Sequence, residues 1–260
     1  MHAPTPPRQA LLLAAGEGRR LRPLTDHVPK PMLPIDGQGV VERLVGQLVR
    51  AGIERMTVVV GYRGDVLRAY LERIVSGVQL TFVEQAERRG TGHALQVALD
   101  AGLERADTII AASDTWWRDE DVSRLFERAA NDTDAMVTMS LLRWPVAQLP
   151  HSMSVQLDDE QRVQRVLHRV DPATEPAGAT ALSGSPLYAF RASFWEYVER
   201  IEPAGGVVEL ATGIQQAIDD GHPVRAHEVH EARDLTRPED LLRHNFGYLG
   251  PWLDEANPSG

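Results

Sequence analysis

The residues whose types could do chemistry start with a group of cations that follows two glycines. Gly16 and Gly18 come directly after the apolar run at 9–15, which predicts a buried strand. The cations are Arg19, Arg20, Arg22 and Lys30. A glycine turn after a strand lets backbone N–H groups approach a phosphate closely, because no Cβ is in the way. The cations would supply charge where polyphosphate oxygens lie. The segment therefore predicts a phosphate-binding loop with its own cationic clamp.

This loop differs from two common glycine-rich phosphate loops. A dinucleotide fingerprint would need a third glycine at Leu21, and the G-K-[ST] of a Walker A loop does not follow. The full pattern over residues 13–35, L-A-A-G-x-G-x-R-L-x-P-L-T-x-x-x-P-K-P-M-L-P-I, instead resembles the signature of the sugar-1-phosphate nucleotidyltransferases. The resemblance covers most of residues 9–250, with its strongest motifs in the first 115 residues.

The resemblance implies a role for each part of the loop. In the family the loop wraps a nucleoside triphosphate, a loop arginine holds the outer phosphates, and the lysine of P-K-P lies at the reacting phosphates. The catalytic roles fall on Arg20 and Lys30, and nucleotide binding falls on Leu13, Ala14, Ala15, Gly16 and Gly18. An acceptor phosphate oxygen attacks the α-phosphorus and pyrophosphate leaves, so a fixed cation stabilises the transition state without any protein nucleophile.

A second glycine motif lies within residues 84–98. Its pattern Q-A-E-x-x-G-T-G-H-A resembles the uridylyltransferases that make UDP-N-acetylglucosamine, in which the glutamine and the Gly-Thr pair read the pyrimidine. Those residues are Gln85, Gly90 and Thr91 here. A glutamine amide offers a donor and an acceptor, which suits the imide edge of uracil or thymine. The nucleotide is therefore expected to be UTP, with dTTP as the alternative, and His93 is expected to be a structural helix residue.

Two aspartates stand at element ends. Asp114 follows a predicted strand, and Asp234 precedes a predicted helix that opens with proline in its first turn. Taken alone, each is explained as a helix or turn cap. The resemblance implies that the two together hold one Mg²⁺, with Mn²⁺ as a substitute. Mg²⁺ prefers one or two carboxylates plus phosphate oxygens. It would orient the attack and neutralise charge.

The acceptor residues implied by the resemblance are Ser113, His168, Arg169 and Glu209. From the residues alone, Glu209 is better explained as a helix cap. Relatives commonly read V-x-R-I-x-E-K-P where residues 163–169 read V-Q-R-V-L-H-R, and a usual G-I-Y becomes P-L-Y at 186–188. The arginine can still bind phosphate bidentately, but a histidine cannot replace a carboxylate that accepts two hydroxyls. The hypothesis is an acceptor other than an ordinary hexose-1-phosphate: an unusual sugar, a cyclitol phosphate, or a small phospho-alcohol or phosphonate.

Helical spacing alternates with short apolar runs in the first half of the chain. Helices are predicted at 40–51, 65–75 and 92–103, and strands at 56–60, 78–83 and 107–112. This order predicts an α/β, Rossmann-like doubly wound, mostly parallel sheet with helices on both faces. Strand-like runs from residue 136 predict a small antiparallel acceptor-binding lobe. The predicted organisation is a disordered leader at 1–8, one domain at 9–250 with halves at about 9–135 and 136–235, and a tail at 251–260.

Composition narrows the classes of partner. The net charge of −10 argues against nucleic-acid binding, and no apolar run approaches the ~20 residues of a membrane span. The absence of cysteine excludes disulfides and thiolate metal sites and agrees with a cytoplasmic protein. The expected partners are a nucleoside triphosphate and a phosphorylated sugar-like acceptor, with self-association into a homo-oligomer left open.

Three functions remain open from the sequence. The first is a Mg²⁺-dependent nucleotidyltransferase that joins UTP or dTTP to a sugar-1-phosphate or sugar-like phosphate and releases pyrophosphate. The second is a cytidylyltransferase for phosphocholine or a phosphonate. The third is an inactive regulatory subunit that binds a nucleotide-sugar, which would explain the drifted acceptor motif.

Overall fold

The structure is a computed structural model that describes residues 6–146, 154–167, 176 and 178–247. The strands in these ranges are β1 Gln9–Ala14, β2 Pro34–Ile35, β3 Gln38–Gly39, β4 Arg55–Val60, β5 Gln79–Glu84, β6 Thr108–Ala112, β7 Thr115–Trp117, β8 Val137–Pro145, β9 Ser154–Leu157, β10 Val163–Leu167, β11 Thr180–Phe190, β12 Val224–Glu228 and β13 Ala232–Asp234. The α-helices are α1 Val40–Arg50, α2 Gly64–Ile74, α3 Thr91–Asp100, α4 Asp119–Asn131, α5 Trp195–Arg200, α6 Leu210–Asp219 and α7 Pro238–Asn245.

A nine-stranded sheet forms the centre of the molecule. Its strand order is β10-β9-β11-β6-β1-β4-β5, and β8 pairs with both β11 and β12. Strands β6, β1, β4 and β5 are parallel. Successive residues of β1 enter opposite cores, with Leu11 in one and Leu12 in the other, so both faces of the sheet are covered. The predicted α/β class is confirmed.

The antiparallel part is continuous with this sheet, and β11 makes the connection. Residues 187–190 of β11 pair antiparallel with β6, its first half pairs with β9, and both halves pair with β8. The register between β11 and β8 shifts between Gly184 and Tyr188, and Pro186 lies inside that irregularity. The missing N–H of Pro186 therefore falls where the β8 ladder is already interrupted.

Several elements went unpredicted, for different reasons. Helix α4 buries Val122, Leu125, Phe126 and Ala129, whose spacing was readable in the sequence as a helix face. Strands β7 and β13 are three residues each, and only their mutual pairing identifies them as strands. The predicted leader also extends too far, because the carbonyl of Arg8 accepts hydrogen bonds from the backbone of Glu54 and Arg55. Among the described residues, none of the helices has the length and apolar character to cross a membrane.

Asp121 of α4 anchors the segment that leads into β13. Its side chain is fully buried, and Oδ2 accepts from the backbone N–H of His230 at 2.9 Å and of Glu231 at 3.4 Å. Burial opposes ionisation of this carboxyl, but the hydrogen bonds from His230 and Arg124 outweigh it and lower the pKa of Asp121. A buried carboxylate thus fixes where β13 starts, and with it the position of Asp234.

Replacing this carboxylate tests the anchor. We expect Asp121→Asn to lower the free energy of unfolding by about 2–3 kcal/mol at pH 7, because an amide cannot accept all of these hydrogen bonds. A carboxyl with a depressed folded-state pKa stabilises the fold above its unfolded pKa of about 3.9 and loses that contribution as pH falls through the folded value. Urea denaturation at pH 7 and at pH 3 would measure both effects.

The exposed neighbour supplies the control. Glu120→Gln should change stability by less than about 0.5 kcal/mol, since Glu120 is solvent-exposed. An Asp121→Asn deficit of the same size at both pH values would contradict the anchoring role.

Candidate functional site

The glycine loop after β1 turns back onto Lys30. Gly18 has φ +65°, and its carbonyl accepts hydrogen bonds from the backbone of Leu21 and the hydroxyl of Thr25, each at 2.9 Å. A Cβ on Gly18 would lie 3.2 Å from the Cβ of Lys30 and 3.0 Å from a methyl of Thr25. Gly18 is therefore required both by its backbone conformation and by this close approach. Around Gly16 a Cβ would meet nothing within 4 Å, so that side of the loop is open to a ligand.

Lys30 and Asp114 form an ion pair at the edge of the sheet. Their Nζ and Oδ2 atoms are 2.5 Å apart, and the side chains are 14% and 30% exposed. Asp114 follows β6, which lies beside β1, so the two loops meet at the carboxyl ends of neighbouring parallel strands. Lys30 is also the sole lysine in the 260-residue chain, in which every other Lys/Arg position is arginine. A compact ammonium, not a forked guanidinium, stands at this position.

Asp234 reaches the same edge from a distant part of the chain. It ends β13 and is in register with Thr115 of β7, and the backbone N–H of Leu235 donates to the carbonyl of Asp114 at 3.2 Å. Asp234 is exposed, and its Oδ2 accepts from the hydroxyl of Thr236 at 2.6 Å. Lys30, Asp114 and Asp234 thus converge on one edge.

The carboxylates at this edge fit a metal ion that substrate phosphates also coordinate better than one held by protein ligands alone. Over the described ranges, no group of three or more His, Cys, Asp or Glu residues is placed to hold a metal. Two aspartates from adjacent backbone segments are what Mg²⁺ needs when phosphate oxygens complete its shell. Asp114 and Asp234 can fill that role.

An arginine cluster surrounds Glu17 in the middle of the loop. The Glu17 carboxylate pairs with Arg19 at 2.7 Å, Arg22 at 2.6 Å and Arg88 at 3.2 Å. The hydrogen bond from Arg19, which outweighs burial, and the nearby positive charges lower the pKa of Glu17. Within the part of the chain that the structure describes, Arg20 is exposed and makes no ion pair. Three cations are held by one carboxylate, and Arg20 remains available to a bound anion.

Gln85 lies at the end of β5, facing the start of α3. Its side chain is 4% exposed, and its Nε2 lies 3.2 Å from the carbonyl of Gly90 and 3.0 Å from Nδ1 of His93. Gly90 has φ +100°, and a Cβ there would lie 2.5 Å from the carbonyl of Val208. The Gly-Thr-Gly loop is therefore held against the segment before α6.

Thr91 and Glu209 meet through that segment. The hydroxyl of Thr91 accepts from the backbone N–H of Leu210 at 3.3 Å, and Gly92 donates to the carbonyl of Val208 at 2.9 Å. Glu209 immediately precedes α6, but its side chain makes no capping hydrogen bond. Glu209 thus occupies the N-cap position of α6 without a side-chain cap; it is exposed, and the next residue, Leu210, is the one bonded to Thr91 of the Gly-Thr-Gly loop.

The other acceptor predictions fare differently. Ser113 is buried, and its Oγ donates to the carbonyl of Leu13 at 2.8 Å. Ser113 is therefore not placed to bind the acceptor substrate directly, because its hydroxyl already donates to the backbone at the end of β1. His168 and Arg169 lie outside the described residues. Sequence reasoning missed Glu17 and Arg88: the single acidic residue among the loop arginines was a readable signal for Glu17, whereas Arg88 is brought in only by the fold.

Comparisons with known proteins show what this chain is similar to. The family model described as "Nucleotidyl transferase" matches residues 9–250. The low-salt glycan biosynthesis nucleotidyltransferase Agl11 of Haloferax volcanii is 27% identical over 245 residues, which cover 91% of this chain and 65% of that protein. The UTP–glucose-1-phosphate uridylyltransferase AglF of the same organism is 28% identical, with 89% and 93% covered. The mannose-1-phosphate guanylyltransferase of Mycobacterium tuberculosis is 30% identical, with 90% and 62% covered. The chain thus spans about two thirds of two of these relatives and nearly all of the third.

Solved structures show the same fold. A UDP-glucose pyrophosphorylase complexed with UDP-glucose superposes with a TM-score of 0.80 at 16% identity, covering 94% of this chain and 99% of that one. The inositol-1-phosphate CTP transferase from T. maritima superposes with a TM-score of 0.70 at 22% identity, covering 90% and 91%. At these identities the likeness concerns the fold alone.

The ion pair at the sheet edge can be measured by a double-mutant cycle. We expect Lys30→Met and Asp114→Asn to show a coupling energy of about 1–3 kcal/mol in urea denaturation, because each single change leaves a half-buried partner unpaired. The exposed pair Arg50 and Asp119, with side chains 62% and 65% exposed, is the control and should couple by less than about 0.5 kcal/mol. Equal coupling in the two cycles would mean that the Lys30–Asp114 pair does not form in solution.

Proposed function

The chain belongs to the nucleotidyl transferase family, among the sugar-1-phosphate nucleotidyltransferases, and on that premise we propose that it transfers a nucleoside monophosphate from UTP or dTTP to a sugar-1-phosphate or sugar-like phosphate. Pyrophosphate is the other product. The observation that carries the proposal is the convergence of Lys30, Asp114 and Asp234 beside the glycine loop.

Each of these groups has a part in the transfer. The Lys30 ammonium would stabilise negative charge as it builds on the α-phosphate, and the pair with Asp114 holds that ammonium in place before substrate binds. Arg20 would bind the outer phosphates, and the open space beside Gly16 would admit the triphosphate. None of these roles needs a covalent intermediate, so the protein positions two phosphates and stabilises charge.

Asp114 and Asp234 would hold Mg²⁺, or Mn²⁺ in its place. The ion supplies charge neutralisation and orientation when it is shared with substrate phosphates. Asp234 is also held by Thr236, which fixes the direction of its carboxylate. The pair of aspartates is thereby set before any ligand arrives.

The acceptor would enter between this edge and the antiparallel strands. Glu209 is exposed, its carboxylate makes no capping hydrogen bond, and it adjoins Leu210, which is bonded to Thr91, so it is available to a hydroxyl-bearing acceptor. Pro186 removes one N–H from β11, and His168 stands where relatives carry a glutamate. These departures support an acceptor other than an ordinary hexose-1-phosphate, with Arg169 as its phosphate ligand.

One further relative supports a second candidate function. A 2-aminoethylphosphonate cytidylyltransferase from Lancefieldella rimae is 34% identical over 113 residues, which cover 44% of this chain and 45% of that protein. A cytidylyltransferase for phosphocholine or a phosphonate is therefore the alternative enzyme. An inactive nucleotide-sugar-binding subunit is the non-enzymatic alternative, against which the paired Lys30 and Asp114 argue.

A substrate screen separates these functions. Pyrophosphate release would be measured for UTP, dTTP, CTP, GTP and ATP against glucose-1-phosphate, N-acetylglucosamine-1-phosphate, inositol-1-phosphate, phosphocholine and 2-aminoethylphosphonate. We expect turnover with UTP or dTTP, and higher turnover with an acceptor other than the two hexose phosphates. Highest turnover with a hexose phosphate would contradict the acceptor proposal. CTP with phosphocholine or the phosphonate would favour the cytidylyltransferase, and calorimetric UTP binding without pyrophosphate from any pair would favour the regulatory subunit.

Substitutions at the sheet edge test the catalytic roles. With the nucleotide and acceptor that give the highest turnover in that screen, Lys30→Ala and Asp114→Asn should each lower kcat by about 10²–10³-fold. Lys30→Ala removes the ammonium that would stabilise the transferring phosphate, and Asp114→Asn removes the carboxylate charge that holds this ammonium in place. Lys30→Arg should remain at least about tenfold below the unaltered protein, because a guanidinium does not reproduce the compact ammonium. Circular dichroism would confirm that the variants are folded, and Arg50→Ala is the surface control. Near-normal turnover in Lys30→Ala would remove that residue from the mechanism.

A further inference from the structure

The predicted base-reading glutamine and two side chains behind it form a chain of contacts. Nε2 of Gln85 lies 3.0 Å from Nδ1 of His93, and Nη2 of Arg89 lies 2.9 Å from Nε2 of the same ring. Gln85 and His93 are 4% and 8% exposed, so these contacts are shielded from water. Both ring nitrogens of His93 therefore face a nitrogen that carries hydrogens.

The acceptors do not suffice for all of these contacts at once. Arginine is a donor only, a backbone carbonyl is an acceptor only, and a neutral imidazole has one acceptor nitrogen. His93 can accept from Gln85 or from Arg89, but not from both. The choice between them also fixes the orientation of the Gln85 amide, because an Nδ1–H on His93 would require the amide oxygen at that position.

Gly90 decides which arrangement holds. Its carbonyl lies 3.2 Å from Nε2 of Gln85, and it would face another oxygen if the amide were turned over. Arg89 has other partners, since its side chain is 47% exposed and lies 3.4 Å from Glu87. The less costly arrangement has Gln85 donating to Gly90 and His93, with the proton of His93 on Nε2 and Arg89 displaced toward solvent.

We propose that His93 and the Gly90 carbonyl fix the Gln85 amide with its oxygen toward the base, and that this orientation selects uracil or thymine over cytosine. The proposal rests on the proposed function, in which Gln85 reads the pyrimidine. Uracil and thymine carry a hydrogen on N3, which Oε1 of Gln85 can accept. Cytosine carries a lone pair at N3, which would face the same oxygen and repel it. His93 is thus a positioning residue, and Arg89 is its competitor.

The surrounding backbone keeps this arrangement in place. Gly90 is held against Val208 by the close approach that excludes a Cβ, and Val208 donates to the carbonyl of Arg89 at 2.6 Å. His93 lies in the first turn of α3, so its ring direction is set by the helix. The Gln85 amide can therefore exchange the positions of its oxygen and nitrogen only by rotation within its own side chain, which gives it two alternative orientations.

The test compares kcat/KM for UTP and CTP with one acceptor. The unaltered protein should prefer UTP by about 10–100-fold, the effect of one lost buried hydrogen bond. His93→Phe removes the ring acceptor and should lower that ratio about tenfold, whereas His93→Gln retains an acceptor and should restore most of it. Arg89→Ala removes the competing donor, so the ratio should be kept or raised. Asp100→Asn, at the exposed C-terminal end of the same helix α3 and remote from His93 in sequence, is the matched control.

A purely structural role for His93 predicts a different result. It would lower kcat/KM for both nucleotides together and leave their ratio unchanged, which would overturn the proposal, as would an unaltered protein that prefers CTP or a purine nucleotide. If His93→Phe does not fold, the ratio in His93→Gln and Arg89→Ala decides instead, and a fall in the Arg89→Ala ratio would overturn the proposal. If no nucleotide is turned over, the proposed function fails, and calorimetric affinities for UTP and CTP still decide the orientation of the amide.

Discussion

The contact between Lys30 and Asp114 is the interaction on which the site depends. Two oppositely charged groups lie 2.5 Å apart at the end of the sheet, and neither is fully solvated. Their partial burial means that each needs the other until a phosphate or a metal ion replaces one of them. Gly18 contributes by allowing the loop to pack on Lys30, and Ser113 contributes by joining the end of β6 to the end of β1. A site of this kind is charged and structured before its substrate arrives.

The sheet supplies the second constraint. Strands β1 and β6 are parallel neighbours, so the glycine loop and Asp114 necessarily leave the sheet on the same side. Strand β11 runs antiparallel against β6 and continues beyond it, which places the antiparallel strands over that same side. Asp234 comes from the far end of the chain and is brought in by β13, whose approach is set by the buried carboxylate of Asp121.

The loop predicted to read the base and the segment before α6 are joined by backbone hydrogen bonds and by one side-chain hydroxyl. Val208 exchanges hydrogen bonds with Arg89 and Gly92, and the Thr91 hydroxyl holds the backbone next to Glu209. The loop predicted to read the nucleotide and the segment predicted to contact the acceptor therefore pack as one unit. Displacement of either would move the other, because the close approach at Gly90 leaves no room for adjustment.

Local sequence determined the parts of this protein that depend on local physics. The apolar run before Gly16 predicts β1, the helical spacing at 40–51 predicts α1, and the loop motif identifies Lys30 and Arg20. Only the tertiary structure decided the rest, because the deciding contacts join residues far apart in sequence. Ser113 proved to be a support, the strand character of 232–234 came from pairing with β7, and the contacts of the His93 ring with Gln85 and Arg89 arise only in the fold. A hydrogen-bond donor or acceptor acquires its role from the group it faces, and the sequence alone does not state which group that is.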